Sequence, residues 1–152
     1  AYLDLCEMSE FKGRVNMGPY STPEIVSELS KHDRCLYMTD AWVEDHGVQN
    51  PAIYDCFPKF LKFSLCGTGD TMPATIRKMT GAVADRFSIR NRGYVKPGYY
   101  ADLTVFDENK LRDGLPDQEK SFGIEKVYIN GIKVLDGEVL DTEAIKHSGR
   151  AM

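Results

Sequence analysis

The sequence predicts a mixed α/β fold, and three features carry that reading. Helix signals, in which a capping residue is followed by apolar residues at helical spacing, are concentrated before residue 91. After it come strand-like runs broken by Pro97-Gly98, Asn130-Gly131 and Asp136-Gly137, dipeptides that set tight turns. The order strand, helix, strand, helices, then a run of strands divides the chain into an α/β part at residues 1–91, a β part at 92–140 and a polar tail at 141–152.

Taken in order, residues 2–8 alternate loosely and read as a short strand. Gly13, Gly18 and Pro19 make residues 11–20 a loop. A helix opens next, either with Thr22 as cap and Pro23 at the first helical position, or with Ser21 as cap and Glu24 closing a capping box. Ile25, Val26 and Leu29 give it one apolar face that is expected to pack inward. Residues 35–40 are apolar on most successive positions and end in Asp40, which fits a strand buried on both faces of a parallel sheet. Residues 41–50 read as a polar loop, and the aromatic-rich stretch 51–65 as helical from Pro58 on. Gly67 and Gly69 make a turn rather than a dinucleotide fingerprint, because the third glycine and the preceding strand are missing. Asp70 or Thr71 then caps a helix through Met79, with Met72, Ile76 and Met79 spaced as a core-facing stripe. Residues 82–87 add a further turn or two.

The β part begins at Pro97-Gly98, where proline presets φ and glycine supplies the positive φ of a type II turn. Residues 99–106, rich in β-branched and aromatic side chains, follow as a strand. Residues 108–122 are charged, carry Gly114 and Pro116, and read as a surface loop. Residues 124–129 and 132–135 flank Asn130-Gly131, a dipeptide suited to the two positive φ values of a type I′ hairpin turn. Asp136-Gly137 adds a second turn, which gives three antiparallel strands, and the tail is expected to end in a loose helical turn.

With 42% hydrophobic and 28% charged residues in 152, the composition is globular. A net charge of -4 offers no basic footprint for nucleic acid or an anionic membrane surface. No apolar run approaches the ~18 residues of a membrane span, and the N-terminus lacks a basic signal-peptide region. A cytoplasmic location is therefore expected. Cys6, Cys35, Cys56 and Cys66 form no C-x-x-C pair and read as free, mostly buried thiols. His32, His46 and His147 share no ligand spacing and read as surface histidines. Ser9 and Ser64 lack the context of a nucleophile elbow.

Three stretches carry a resemblance. Gly93, a spacer, Pro97-Gly98, an aromatic, Ala101-Asp102-Leu103 and then Asp107 resemble the segment that closes many metal-dependent amidohydrolases. The run from Lys78 to Phe87 is similar to the helix that precedes it in that family. Tyr54, two residues, Phe57-Pro58-Lys59, one residue and Leu61 resemble the Tyr-x-x-Phe-Pro-Arg-x-Leu run of the N-acyl-D-amino-acid deacylase (D-aminoacylase) branch. The likeness covers residues 36–140.

The resemblance implies a C-terminal portion of such an enzyme: the last strand and helix units of a (β/α)8 TIM barrel, then part of a small β-sandwich composite domain. Members hydrolyse C–N bonds with one or two divalent metals, usually zinc, while a carboxylate at the end of the last strand takes and returns a proton. By resemblance, Asp40 is the catalytic residue that matches this carboxylate in the family's Ser-Asp or Thr-Asp step. The family's His-x-His pair is absent, so zinc is expected only in the full-length enzyme, none assembled by this chain alone. Asn50-Pro51 stands where deacylase relatives often have His-Pro. Asp102 is expected to bond neighbouring backbone, and Glu44-Asp45-His46 to be a solvated loop, with the lining of the active-site mouth as the alternative. The implied parent is a hydrolase cleaving a small-molecule linear amide of the N-acyl-D-amino-acid type; the fragment alone is expected to be inactive and to self-associate through an unpaired sheet edge. Two alternatives are a cyclic-amide hydrolase of the dihydroorotase or hydantoinase kind, against which Phe57-Pro58-Lys59 argues, and a non-catalytic β-rich binding or assembly domain.

Overall fold

The computed structural model describes residues 2–8, 10, 21–40, 50–115 and 121–149. The elements run α1 (Tyr2–Met8), α2 (Pro23–Lys31), α3 (Ala52–Leu65), α4 (Met72–Met79), α5 (Gly81–Arg86), β1 (Leu103–Phe106), α6 (Glu108–Asp113), β2 (Ile124–Ile129), β3 (Ile132–Asp136), β4 (Val139–Leu140) and α7 (Thr142–Ser148). Helices α1 to α5 thus precede an antiparallel sheet in the order β1-β2-β3-β4, with α6 between β1 and β2 and α7 after β4.

Of the two caps open to α2, Thr22 is the one formed: its hydroxyl accepts the Ile25 N–H at 3.4 Å and Pro23 takes the first turn. The apolar face does not pack inward as expected, since Ile25 and Leu29 are exposed. Ser30 is what α2 buries, with its hydroxyl donating to the Ser27 carbonyl and its own carbonyl accepting Lys78 Nζ at 2.7 Å.

Helix α3 starts six residues earlier than Pro58, at Ala52, whose N–H donates to Asn50 Oδ1 at 3.0 Å. Proline inside a helix removes the N–H that would reach the carbonyl four residues back. That carbonyl, on Tyr54, instead accepts the Ser121 hydroxyl at 2.5 Å. A side chain from beyond the helical part therefore satisfies the group that Pro58 orphans, and the helix runs through.

Helix α4 keeps the predicted bounds, with Thr71 at its N-cap position and Asp70 Oδ1 accepting the Thr71 N–H at 2.7 Å. The strand expected over 2–8 is instead helix α1, and residues 35–40 join no ladder among the described residues. A strand exists only by pairing, whereas a helix satisfies its backbone internally; neither segment finds a described partner. The loops expected at 11–20 and 41–50 lie, apart from Asn50, outside the described residues.

The surface loop expected over 108–122 contains helix α6. Asp107 Oδ1 caps it by accepting the N–H groups of Asn109 and Lys110 at 2.8 and 3.0 Å. Leu111 on α6 is fully buried, and Lys62 Nζ donates to the Gly114 carbonyl at 2.7 Å, tying α6 to α3. Asp141 caps α7 in the same way through the Ala144 N–H at 2.8 Å, so the tail is a formed helix rather than a loose turn.

In the sheet, Thr104, Val127, Leu135 and Leu140 stand in register across the four strands. Asn130 and Gly131 have φ of 51° and 82°, the two positive values of the predicted hairpin turn. Tyr99 N–H donates to the Lys96 carbonyl around Gly98, φ 84°, as a type II turn requires. Strand β1 starts at Leu103, later than the predicted 99, because the donors of Tyr99, Tyr100 and Asp102 go to the carbonyls of Lys96, Asn91 and Tyr100.

Candidate active site around Asp40

Asp40 ends the segment 35–40, exposed and with φ of 48°, in the left-handed region that non-glycine residues seldom occupy and Asp tolerates better than most. Two of the three residues before it, Tyr37 and Met38, are tied to α3. Tyr37 is buried with its ring centroid 4.3 Å from that of Phe60 on α3. The Cys56 thiol, one turn earlier on α3, donates to the Met38 carbonyl at 3.2 Å. Burial pushes the Cys56 thiol up, with the Asp55 carboxylate adding to it, so the sulfur stays protonated and able to donate. An exposed carboxylate thus follows a buried anchor. In that setting it can accept a proton from water and give it back.

Beside this anchor, helices α3 and α4 and one sheet face bound an apolar cleft of about 970 Å³. Leu61, Met72 and Ile76 line it from the helices, and Phe106, Val127 and Leu135 from the sheet. Met79 lines it too, so the predicted apolar stripe faces this cleft.

Behind Tyr37 lies a buried polar cluster. Burial, with Cys35 nearby, pushes the Tyr37 ionisation up. Thr75 and Ser64 hydroxyls are 2.7 Å apart. Lys78 Nζ, buried, bridges the Ser30 carbonyl and Asp70 Oδ2 at 2.7 and 2.6 Å.

The remaining predicted positions do not converge on Asp40. Asp102 accepts the Asn130 N–H at 2.8 Å and pairs with Arg92, the structural role expected for it. His32 is exposed and lies 3.2 Å from the Asp33 carboxylate, and His147 is exposed in the last turn of α7. Glu44, Asp45 and His46 lie outside the described residues. Cys35, Cys56 and Cys66 are free. Among the described residues no three His, Cys, Asp or Glu side chains group to hold a metal ion, so these residues do not fit a metal centre. Sequence reasoning missed Tyr37, Cys56 and Phe60. The spacing of Cys56, Phe60 and Ser64 at i, i+4 and i+8 puts them on one helical stripe, which was the available signal.

Among the described residues no helix is long and apolar enough to cross a membrane. No protein-family model matches the chain. It is 32% identical over 107 residues to a D-aminoacylase of Alcaligenes xylosoxydans xylosoxydans, covering 68% of this chain and 22% of that relative. It is 39% identical over 72 residues to an N-acyl-D-aspartate deacylase of the same organism, covering 45% of this chain and 14% of the relative. A solved D-aminoacylase structure concerned with its binuclear metal centre matches with TM-score 0.57 at 34% identity, over 63% of this chain and 21% of that one. An N-acyl-D-glutamate deacylase from Bordetella bronchiseptica, solved with zinc and a phosphonate inhibitor, matches with TM-score 0.66 at 24% identity over 75% of this chain and 26% of that one, a likeness of fold alone. The chain spans about a fifth of the length of the D-aminoacylases it matches. In sequence and in fold it is a homologue of the D-aminoacylases and N-acyl-D-amino-acid deacylases of the amidohydrolase family.

Proposed function

We propose that this chain is the C-terminal part of a zinc-dependent, cytoplasmic amidohydrolase that cleaves N-acyl-D-amino acids, and that it is inactive alone. The observation that carries this reading is the 32% identity to a D-aminoacylase across 107 residues, a stretch that includes most of the chain. Residues 1–91 supply the last units of the catalytic barrel and residues 92–140 part of the companion β-sandwich. Asp40 takes the proton from the attacking water as the C–O bond forms. It then returns that proton to the departing nitrogen as the C–N bond breaks, so the products are a carboxylate and an amine.

The D-aminoacylase relative with a binuclear metal centre supports a metal in the parent enzyme. Since the described residues do not group into a metal centre by themselves, such a centre needs ligands from outside them. Among the described residues the sheet ends in β1 and β4, and self-association of the isolated chain would run through pairing of such an edge with a second copy.

The test joins the chain to the rest of its parent polypeptide and measures release of free amino acid from N-acetyl-D- and N-acetyl-L-amino acids. The reading predicts turnover of the D series only, and none by residues 1–152 alone. Turnover of a hydantoin or dihydroorotate in place of the linear amides contradicts it, and so does an absence of any amide hydrolysis.

A further inference from the structure

We propose, resting on the reading of Asp40 as the proton-shuttling carboxylate, that Tyr37 and Cys56 are positioning residues that fix its backbone. Helix α3 grips the segment ahead of Asp40 at two points one turn apart. Cys56 holds the Met38 carbonyl at 3.2 Å, and Phe60 lies against the Tyr37 ring at 4.3 Å. Residues four apart share a helix face, so a single stripe of α3 makes both contacts. Ser64, four further on, reaches Thr75 at 2.7 Å and extends the stripe to α4.

Asp40 is itself exposed and in a left-handed conformation. Tyr37 and the Met38 carbonyl, three and two residues ahead of it, are the points that α3 holds. Tyr37 is 8% exposed and Cys56 8%, so both holding side chains are buried. A carboxylate displaced by an ångström from a reacting water loses much of its effect. Thiol protonation suits this role, because a thiolate could accept but not donate to the Met38 carbonyl.

The experiment compares Tyr37→Leu, Cys56→Ala and Cys56→Ser in the full-length enzyme, alone and combined with Asp40→Asn, with melting temperature measured for each. Tyr37→Leu stays apolar and removes the ring that Phe60 lies against, while Cys56→Ser keeps a donor. The proposal expects Tyr37→Leu and Cys56→Ala to lower kcat about tenfold with KM within about twofold. Cys56→Ser should restore most of the loss. In the Asp40→Asn background neither Tyr37→Leu nor Cys56→Ala should lower kcat further, since both act through the missing carboxylate. Losses of equal size in both backgrounds overturn the proposal, as does a lower melting temperature with kcat unchanged. A fully active Asp40→Asn enzyme sinks the reading of Asp40 itself. An Asp40→Asn enzyme without activity, beside Tyr37→Leu and Cys56→Ala variants of normal kcat, sinks the positioning role alone.

Discussion

Arg92 and Asp102 pair across the base of the Pro97-Gly98 turn, and the same carboxylate accepts the Asn130 N–H at 2.8 Å. Arg92 also donates to the Asn130 side-chain oxygen at 2.7 Å and lies over the Tyr100 ring at 4.4 Å. Three residues far apart in sequence therefore lock the type II turn to the tip of the β2-β3 hairpin. The Asp of the Ala-Asp-Leu run is thus a structural clasp.

Asp102→Ala should lower stability by ~1–3 kcal/mol, the range for losing hydrogen bonds that involve a charged group. Thermal melts of the wild-type and variant chains measure it. Burial alone would raise the Asp102 carboxyl, but the Asn130 N–H and Arg92 outweigh it and hold the group below its usual value. A lowered folded-state value means that this stability is present above pH ~4 and is lost as pH falls below that. The difference between wild type and Asp102→Ala should therefore shrink in melts below pH ~4.

Lys78 is the more costly residue to remove. Its side chain is 7% exposed, and it holds Asp70 and the end of α2 together. Lys78→Met leaves Asp70 and the Ser30 carbonyl without that donor and should cost ~3–5 kcal/mol, as for one partner of a buried pair. The Lys78 hydrogen bond chiefly holds the Asp70 carboxyl below its ordinary value, against the push of burial. Asp70→Asn should therefore flatten the acid limb of the stability profile below pH ~4. Urea unfolding across pH 3–7 reads both effects.

Leu111 and Leu115 lie four residues apart and should behave oppositely. Leu111 is fully buried and Leu115 is 77% exposed. Leu111→Ala should destabilise by ~2–5 kcal/mol through lost transfer and a new cavity. Leu115→Ala should stay within ~0.5 kcal/mol of wild type. Denaturant midpoints for the pair separate the two cases.

The parts of the fold legible in sequence are those set locally. Asn130-Gly131 and Pro97-Gly98 encode their own φ values, so the turns and the strands beside them are where the sequence puts them. Thr22 with Pro23 encodes a helix start for the same reason. Long-range facts were not legible. Pro58 reads as a helix start until Ser121, 63 positions on, is seen to take up the orphaned Tyr54 carbonyl. Residues 35–40 read as a strand because of their apolar run, yet a strand needs a partner that the run cannot name. Helix α6 was legible in principle: Asp107 as cap, Glu108 in the first turn, Lys110 and Arg112 in the last, and Gly114 just past the end. Its high charge hid the single apolar residue, Leu111, that docks it. Asp40 is singled out by likeness to a motif, whereas the Tyr37 and Cys56 contacts behind it depend on how α3 lies against the segment.

The central claim is that Asp40 is the group that moves the proton. The measurement that tests it most directly is kcat on an N-acetyl-D-amino acid for the full-length enzyme and its Asp40→Asn variant, with melting temperatures matched. An amide keeps the size of the side chain and cannot take the proton, so kcat should fall by ~10²–10⁴-fold while the fold stays intact. A variant that retains kcat within a few-fold of wild type contradicts the account.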